Sequence, residues 1–349
     1  MITIKEIANQ LNMSTTTVSN VIHGKTKEVS QDTIDRVQSF LKEVEYVPNI
    51  NARNLAQNQS KIIGVVLKTS ESRYMHILSD PFVSEMLGGI EQVVRESGYY
   101  MMLYISDDIA EIITHISGWN VDGLLLFWML DDDAIRVYKR FRKPVVYIDT
   151  YVNWDKIEEI GNTYINVGLK DRQGAYEATK YLIQKGHKKI AFMSDSKIGV
   201  DRERFLGYRQ ALEESGIEYS DKSFFELRNT KEDIDLTLAK LAKKAKQYTA
   251  VFCCSDNFAA MLVNACSKEG INVPEDLSVI GFDDNINGRL FRPALTTMHQ
   301  DIGKKGTIAA ETLIDMIHGN IPEEHQILLE SHLVEKDSVL DIREKKNKK

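Results

Sequence analysis

The chain has 349 residues, 43% of them apolar and 27% charged, and a net charge of −7 at neutral pH. That leaves room for two or three compact units with large cores, while the acidic balance argues against broad, non-specific nucleic-acid binding. No run is long and apolar enough to span a membrane, and Met1 leads directly into an amphipathic helix rather than a secretory signal, so the expected location is cytoplasmic. Cys253, Cys254 and Cys266 lack paired metal-ligand spacing and read as reduced core residues, with no cofactor expected.

Thr3-Ile4-Lys5-Glu6 has the spacing of a capping box, and Ile4, Ile7, Ala8 and Leu11 follow at helical intervals. After a break at Asn12-Met13, Ser14 caps a second helix from Thr15. Thr17, Val18, Val21 and Ile22 fall on one side of it; Thr15, Thr16, Ser19 and Asn20 fall on the other. A third helix fits Ser30 to Val44, with Ile34, Val37, Leu41 and Val44 facing inward. Three short helices with a tight junction describe a helix-turn-helix, whose second helix reads the DNA major groove. A small helical bundle with a solvated Thr-rich face fits the same periodicity.

Charge does not decide between them. In residues 1–60, Lys5, Lys25, Lys27, Lys42, Arg36 and Arg53 are balanced by Glu6, Glu28, Asp32, Asp35, Glu43 and Glu45, so the excess acid lies wholly beyond residue 60. Phosphate attraction would rest on Lys5, Lys25, Lys27 and Arg53, with helix N-termini and polar side chains adding contacts. The next stretch, Asn49 to Gln57, is too short for a helix stable by itself, and a polar linker is its plainer reading.

From Ile62 onward short apolar runs alternate with helix-length stretches. The runs are Ile62–Leu67, Tyr99–Ile105, Val121–Phe127 and Val145–Ile148, with helices over Phe82–Ser97 and Asp131–Phe141. The pattern restarts with helix Gly174–Gln184, strand Lys189–Met193 and helices Arg202–Ser215 and Glu232–Lys246. Strand Ala250–Cys254, helix Asn257–Glu269 and strand Leu277–Phe282 follow. Apolar strands separated by helices mean α/β units with parallel sheets covered on both faces, so two lobes with a cleft at the strand ends are expected.

Asp149 and Asp283 end two of these strands and Arg204 lies near the start of a helix. Two carboxylates and a guanidinium at a cleft can grip hydroxyls, a carboxylate or a phosphate, although each also fits a strand-end cap or an ion pair. No phosphate-cradling glycine motif, metal cluster or nucleophile–base pair is present in the sequence, so no enzyme is expected.

Ile4-Lys5-Glu6-Ile7-Ala8, Met13 through Ile22, and Tyr46-Val47-Pro48-Asn49 through Ala52-Arg53-Asn54-Leu55 resemble the DNA-binding head of the lactose/galactose repressor family. The Ser-Thr-Thr-Thr-Val-Ser segment is most similar to the family's purine-responsive branch. The resemblance continues through Val121–Leu126, Lys185–Ala191, Arg204–Leu212, Ser255-Asp256, Val273–Asp284 and Pro293–Thr297. It implies a sequence-specific transcription regulator, in expectation a repressor. A helix-turn-helix head at 1–47 would be joined through a hinge helix or linker at 48–60 to a two-lobed, doubly wound, periplasmic-binding-protein-like core at 61–342. Lobe 1 would hold about 61–160 and 292–322, lobe 2 about 161–291 and 323–342, and 343–349 would form a basic tail.

The same resemblance assigns Thr3, Ser14, Thr15, Thr16, Thr17, Ser19, Asn20, Tyr46, Asn49, Arg53 and Leu55 to DNA, Leu55 as a minor-groove wedge. It assigns Tyr74, Trp128, Asp149, Arg204, Phe252, Asp256, Asp283 and Gln300 to a small effector, although a strand phenylalanine such as Phe252 is more often core. The implied partners are a pseudo-palindromic double-stranded operator and a second copy of the chain, a dimer because the tail lacks a leucine heptad. The expected effector is a sugar or sugar derivative, with a purine as alternative. A solute-binding receptor with the same core would need an export signal and no head. Two departures stand out: Lys170-Asp171 replace the usual Asp-Asn, and the segment 69–80 is longer than usual by roughly eight residues, a functional loop or nothing. Arg73, Tyr74 and His76 in it are candidates to line the cleft.

Overall fold

The computed structural model describes residues 2–46, 59–69, 77–152, 164–227 and 230–343, which fall into two compact units, Met1–Ser60 and Lys61–Lys349. The first unit is built from α1 (Ile4–Leu11), α2 (Thr15–Ile22) and α3 (Gln31–Glu43). Its starts and stops are written locally. The Thr3 N–H donates to Glu6 Oε2 at 2.7 Å, and the Glu6 N–H donates back to Thr3 Oγ1 at 3.3 Å. α1 stops at Asn12, whose left-handed φ of 56° suits asparagine. Ser14 Oγ accepts from the Thr17 N–H at 3.0 Å and so begins α2. Ile7, Ala8, Val18, Val21 and Val37 are buried together, with Leu11, Ile34 and Leu41 packed around them.

The second unit contains two six-stranded sheets. Strands β1 (Ile62–Lys68), β2 (Tyr100–Ser106), β3 (Gly123–Phe127), β4 (Val145–Ile148), β5 (Ile165–Leu169) and β11 (Gln326–Leu329) form the first, in the order β11-β5-β4-β3-β1-β2, all parallel. Strands β6 (Ile190–Ser194), β7 (Phe224–Glu226), β8 (Ala250–Cys253), β9 (Ser278–Asp283), β10 (Thr296–His299) and β12 (His332–Val334) form the second. Its order is β12-β10-β9-β8-β6-β7, and only β12 runs antiparallel. The first sheet is covered on one face by α4 (Pro81–Glu96) and α12 (Ile302–Ile317), and on the other by α5 (Ile109–Gly118) and α6 (Asp131–Arg140). The second lies between α7 (Asp171–Gln184) with α8 (Gly199–Glu214) and α9 (Lys231–Lys243) with α10 (Asp256–Lys268), and the short α11 (Ile286–Leu290) follows β9. Burial on both faces explains why these strands read as unbroken apolar runs. The cysteines are free and buried, as expected.

The chain crosses between the lobes three times, but not where the sequence reading put the crossings. β5, expected in lobe 2, is hydrogen bonded in the first sheet; β10, expected in lobe 1, lies in the second; β11, expected in lobe 2, pairs with β5. The crossings therefore fall near residues 170, 300 and 330, each just after a strand has finished pairing in the lobe the chain is leaving. Pairing between distant strands leaves no local mark, which is why the expected boundaries at about 161, 292 and 323 fall early each time.

In lobe 1, α4 and α12 meet backbone to backbone. A Cβ on Gly89 would stand 2.3 Å from the Gly303 carbonyl oxygen, and one on Gly306 would stand 2.4 Å from that of Met86. Only glycine allows so close an approach.

Candidate functional sites: a polar helix face and a buried cleft network

On α2 the buried residues are Val18 and Val21, while Thr15 and Thr16 are exposed and Ser19 and Asn20 are half-buried. This leaves a row of short hydrogen-bonding side chains at the helix N-terminus, the arrangement that reads base edges in a major groove. Four other residues expected at DNA already serve the fold. Thr3 hydrogen bonds to Glu6, Ser14 and Thr17 pair through their hydroxyls at 2.8 Å, and Tyr46 packs against the small core. Groups that hold a helix start in place can still meet a phosphate at its edge. Asn49, Arg53 and Leu55 lie outside the described residues, as do Tyr74 and most of the long segment before Asp80.

In the body, strand ends converge on the crossings. Trp128, Asp149, Asp283 and Asp284 all have left-handed φ, of 55°, 50°, 116° and 55°. Such backbone costs about 1–3 kcal/mol per residue and gathers at functional sites. Lys305, on the first turn of α12, places its Nζ 2.7 and 2.9 Å from the two Asp149 oxygens and 3.0 Å from Gln300 Oε1. Gln300 Nε2 donates in turn to Asp283 Oδ1 at 2.6 Å. Arg204 reaches that oxygen at 3.7 Å, and its Nε donates to Asp171 Oδ1 at 2.7 Å. The guanidinium lies 3.7 Å from the centre of the Phe282 ring and donates to the Cys254 carbonyl, while Tyr151 donates its hydroxyl to Asp171. One continuous polar chain therefore runs from Asp149 in lobe 1 through Lys305, Gln300, Asp283 and Arg204 to Asp171, and back to Tyr151.

Asp149, Asp171, Arg204, Asp283, Gln300 and Lys305 are each no more than 5% exposed. Burial pushes the Asp283 carboxyl up to about 7, with Arg204 and Gln300 pulling the other way. Burial also raises Asp149, and Lys305 opposes it. Beside this chain, Phe82 stacks on Trp128 with ring centres 6.2 Å apart, and the Lys305 ammonium stands 4.9 Å from the Phe82 ring.

Four of the residues expected at the effector, Asp149, Arg204, Asp283 and Gln300, are thus joined in one network, with Trp128 half-buried next to it. Two do not belong there. Phe252 is fully buried in the core of lobe 2, edge-on to Phe192 at 5.3 Å, and offers a ligand no ring face. Asp256 is fully buried as well, accepting from the Thr297 hydroxyl at 2.6 Å and the Asn285 N–H at 3.1 Å. Gly281 and Gly288 crowd it so closely that a Cβ would come within 2.1 and 2.5 Å of its oxygens. It ties α10 to the neighbouring strands.

Sequence reasoning missed Lys305, Asp171 and Tyr151. Lys304-Lys305 looks like a solvated pair, yet Ile302, Lys305, Ala309 and Leu313 lie on one apolar stripe. That spacing was the available signal. The departure at Lys170-Asp171 also acquires a use, since Asp171 is the nearest counter-charge to Arg204.

A polar recognition helix on a capped three-helix unit, followed by a two-lobed core with converging polar groups between its sheets, defines a DNA-binding transcription repressor with an effector-binding body. Residues 3–49 match the model for bacterial regulatory proteins of the lacI family, and residues 179–339 match that of a periplasmic binding protein-like domain. The transcriptional repressor PurR of Mannheimia succiniciproducens is 32% identical over 98% of this chain and 100% of its own length. The transcriptional regulator MalR of Clostridium butyricum is 31% identical, covering 97% and 99%. Among solved structures, a complex of the transcriptional regulator CelR with cellobiose superposes with a TM-score of 0.71 at 26% identity, covering 97% of this chain and 100% of that one. The chain belongs to the lacI family of bacterial regulatory proteins. These relatives are transcription regulators rather than enzymes, and a bacterial protein of this kind works in the cytoplasm, where its DNA is.

Proposed function

We propose that this repressor acts as a homodimer on a pseudo-palindromic operator and that its affinity for the operator is set by a carbohydrate held between the two lobes. Thr15, Thr16 and Asn20 read bases in each half-site, and the hinge segment with Leu55 opens the central minor groove. The observation that carries the effector half is the buried chain from Asp149 to Asp171. It alternates carboxylates with hydrogen-bond donors and has the Phe82–Trp128 rings alongside, a lining suited to a ring bearing many hydroxyls. The relatedness to MalR and to a cellobiose-binding regulator supports the same reading. A purine is the second reading, supported by the relatedness to PurR. Phe252, the ring it would stack on, is packed edge-on to Phe192 in the lobe 2 core.

Ligand and operator need only prefer different arrangements of one dimer for the coupling to work. The test is a thermal-shift screen of the full chain against neutral sugars and nucleobases. A ligand specific to the folded state adds about 2.7 kcal/mol at roughly a hundredfold excess over Kd. A shift with nucleobases alone would replace the carbohydrate by a purine. Selection from randomised duplex oligonucleotides tests the other half, and recovery of no two-fold motif would overturn it.

A further inference from the structure

Lys305 is 1% exposed, and its ammonium has an acceptor for each of its three N–H bonds: both Asp149 oxygens and Gln300 Oε1. The Phe82 ring lies on its remaining side at 4.9 Å. A saturated ammonium has nothing left to offer a ligand. It also holds the acceptors that an effector between the lobes would need, since Asp149 ends a lobe 1 strand and Gln300 sits at a crossing. Among the described residues the cations here are Arg204, already bonded to Asp171 and the Cys254 carbonyl, and Lys305, already bonded to Asp149 and Gln300. An incoming anion would find both engaged, whereas a ligand whose hydroxyls only donate to the carboxylates needs neither.

Resting on the carbohydrate reading, we infer that Lys305 is the specificity-determining residue of the cleft and acts as a tethered competitor: an uncharged, hydroxyl-rich effector binds by taking Asp149 and Gln300 from its ammonium. Discrimination follows from the exchange. A sugar must present hydroxyls at the spacing of the Asp149 oxygens and Gln300 Oε1 to displace the ammonium, and a phosphorylated sugar brings an anion to a site whose two cations are already paired. Removing the competitor raises the fraction of molecules ready to bind, so apparent affinity rises in proportion.

The experiment compares the full chain with Lys305→Met, which keeps the helix and the apolar stem but loses the ammonium. Both are titrated by calorimetry with neutral mono- and disaccharides and with their phosphate esters. The expected result is at least one neutral sugar that binds the variant about tenfold more tightly than the parent, with its phosphate ester weaker on both. Weaker or unchanged binding to the variant, or a preference for the ester, overturns the inference and leaves the carbohydrate reading standing. No binding of any sugar to either protein sinks the carbohydrate reading and this inference with it. Because the single change leaves Asp149 buried without its partner, Lys305→Met/Asp149→Asn is melted beside it. The double variant is expected to lose less stability than the two single losses combined, and strict additivity would show that the pair does not act as one unit.

Discussion

The head and the body place their functional groups differently with respect to their cores. On α2 the residues proposed to face DNA, Thr15, Thr16 and Asn20, stand on one side of the helix while Val18 and Val21 fill the other. In the body the candidate effector groups are themselves interior: Arg204, Asp283 and Lys305 are as buried as the leucines around them. Function and stability can be mutated separately in the head. In the body they are the same atoms, so a change that alters ligand binding also alters folding.

The strongest test of that contrast is Arg204→Leu. It leaves Asp171 and Asp283 buried without their shared cation, and breaking such pairs costs about 3–5 kcal/mol, so denaturant melting of the body should show a loss of that order. A cost below about 1 kcal/mol would mean that the network is not part of the core. Next is Ile7→Ala in the head, where about 2–5 kcal/mol is comparable to everything a unit of this size can gain from its core. Calorimetry should then lose the head's transition while the body's melting point stays within a degree or so, and operator binding should vanish.

The acid–base balance gives a slope rather than a step. A carboxyl raised to about 7 by folding contributes stability that is complete below its ordinary value near 3.8 and is lost as pH rises through 7. The body's melting temperature should therefore fall between pH 5 and 8, and Asp283→Asn should flatten that fall. An equal slope in the variant would place the titration elsewhere. The smallest effect on folding belongs to Asn20→Ala, which should leave both melting transitions alone. It should weaken operator binding by about 1–3 kcal/mol and relax the base preference at one position of each half-site. Unchanged affinity and preference at fixed salt would remove Asn20 from the recognition surface.

The head was legible because its signals are local. Thr3, Glu6, Ser14 and the spacing of Ile7, Ala8, Val18 and Val21 each act within a turn or two of themselves, and the helices start and stop where those residues say. The alternation of strands and helices in the body was legible for the same reason. The crossings were not, because β5, β10 and β11 are assigned to a sheet only by partners far along the chain: Gln326 pairs with Asn166, and Thr296 with Ile280. Within the cleft, Asp149, Asp283 and Arg204 announced themselves as charges at the ends of elements. Lys305 did not, since a lysine beside another lysine looks solvated until the opposite helix is in place. Phe252 and Asp256 go the other way: position marks them as ligands, but Phe252 packs edge-on to Phe192 and Asp256 bonds to Thr297 and Asn285, outside that network.

The glycines at positions 89 and 306 give the lobe 1 helix pair a stiffness that bears on the cleft. With main chain resting on main chain there is no cushion of side chains to absorb a shift, so α12 cannot slide or roll by small amounts. Lys305, next in sequence to one of these contacts, is therefore aimed by a seam on the adjoining side of its own helix. A single methyl group added at Gly306 would act as a wedge and tilt the ammonium off Asp149, so that this repressor's response to its ligand could be retuned from a residue that no ligand touches.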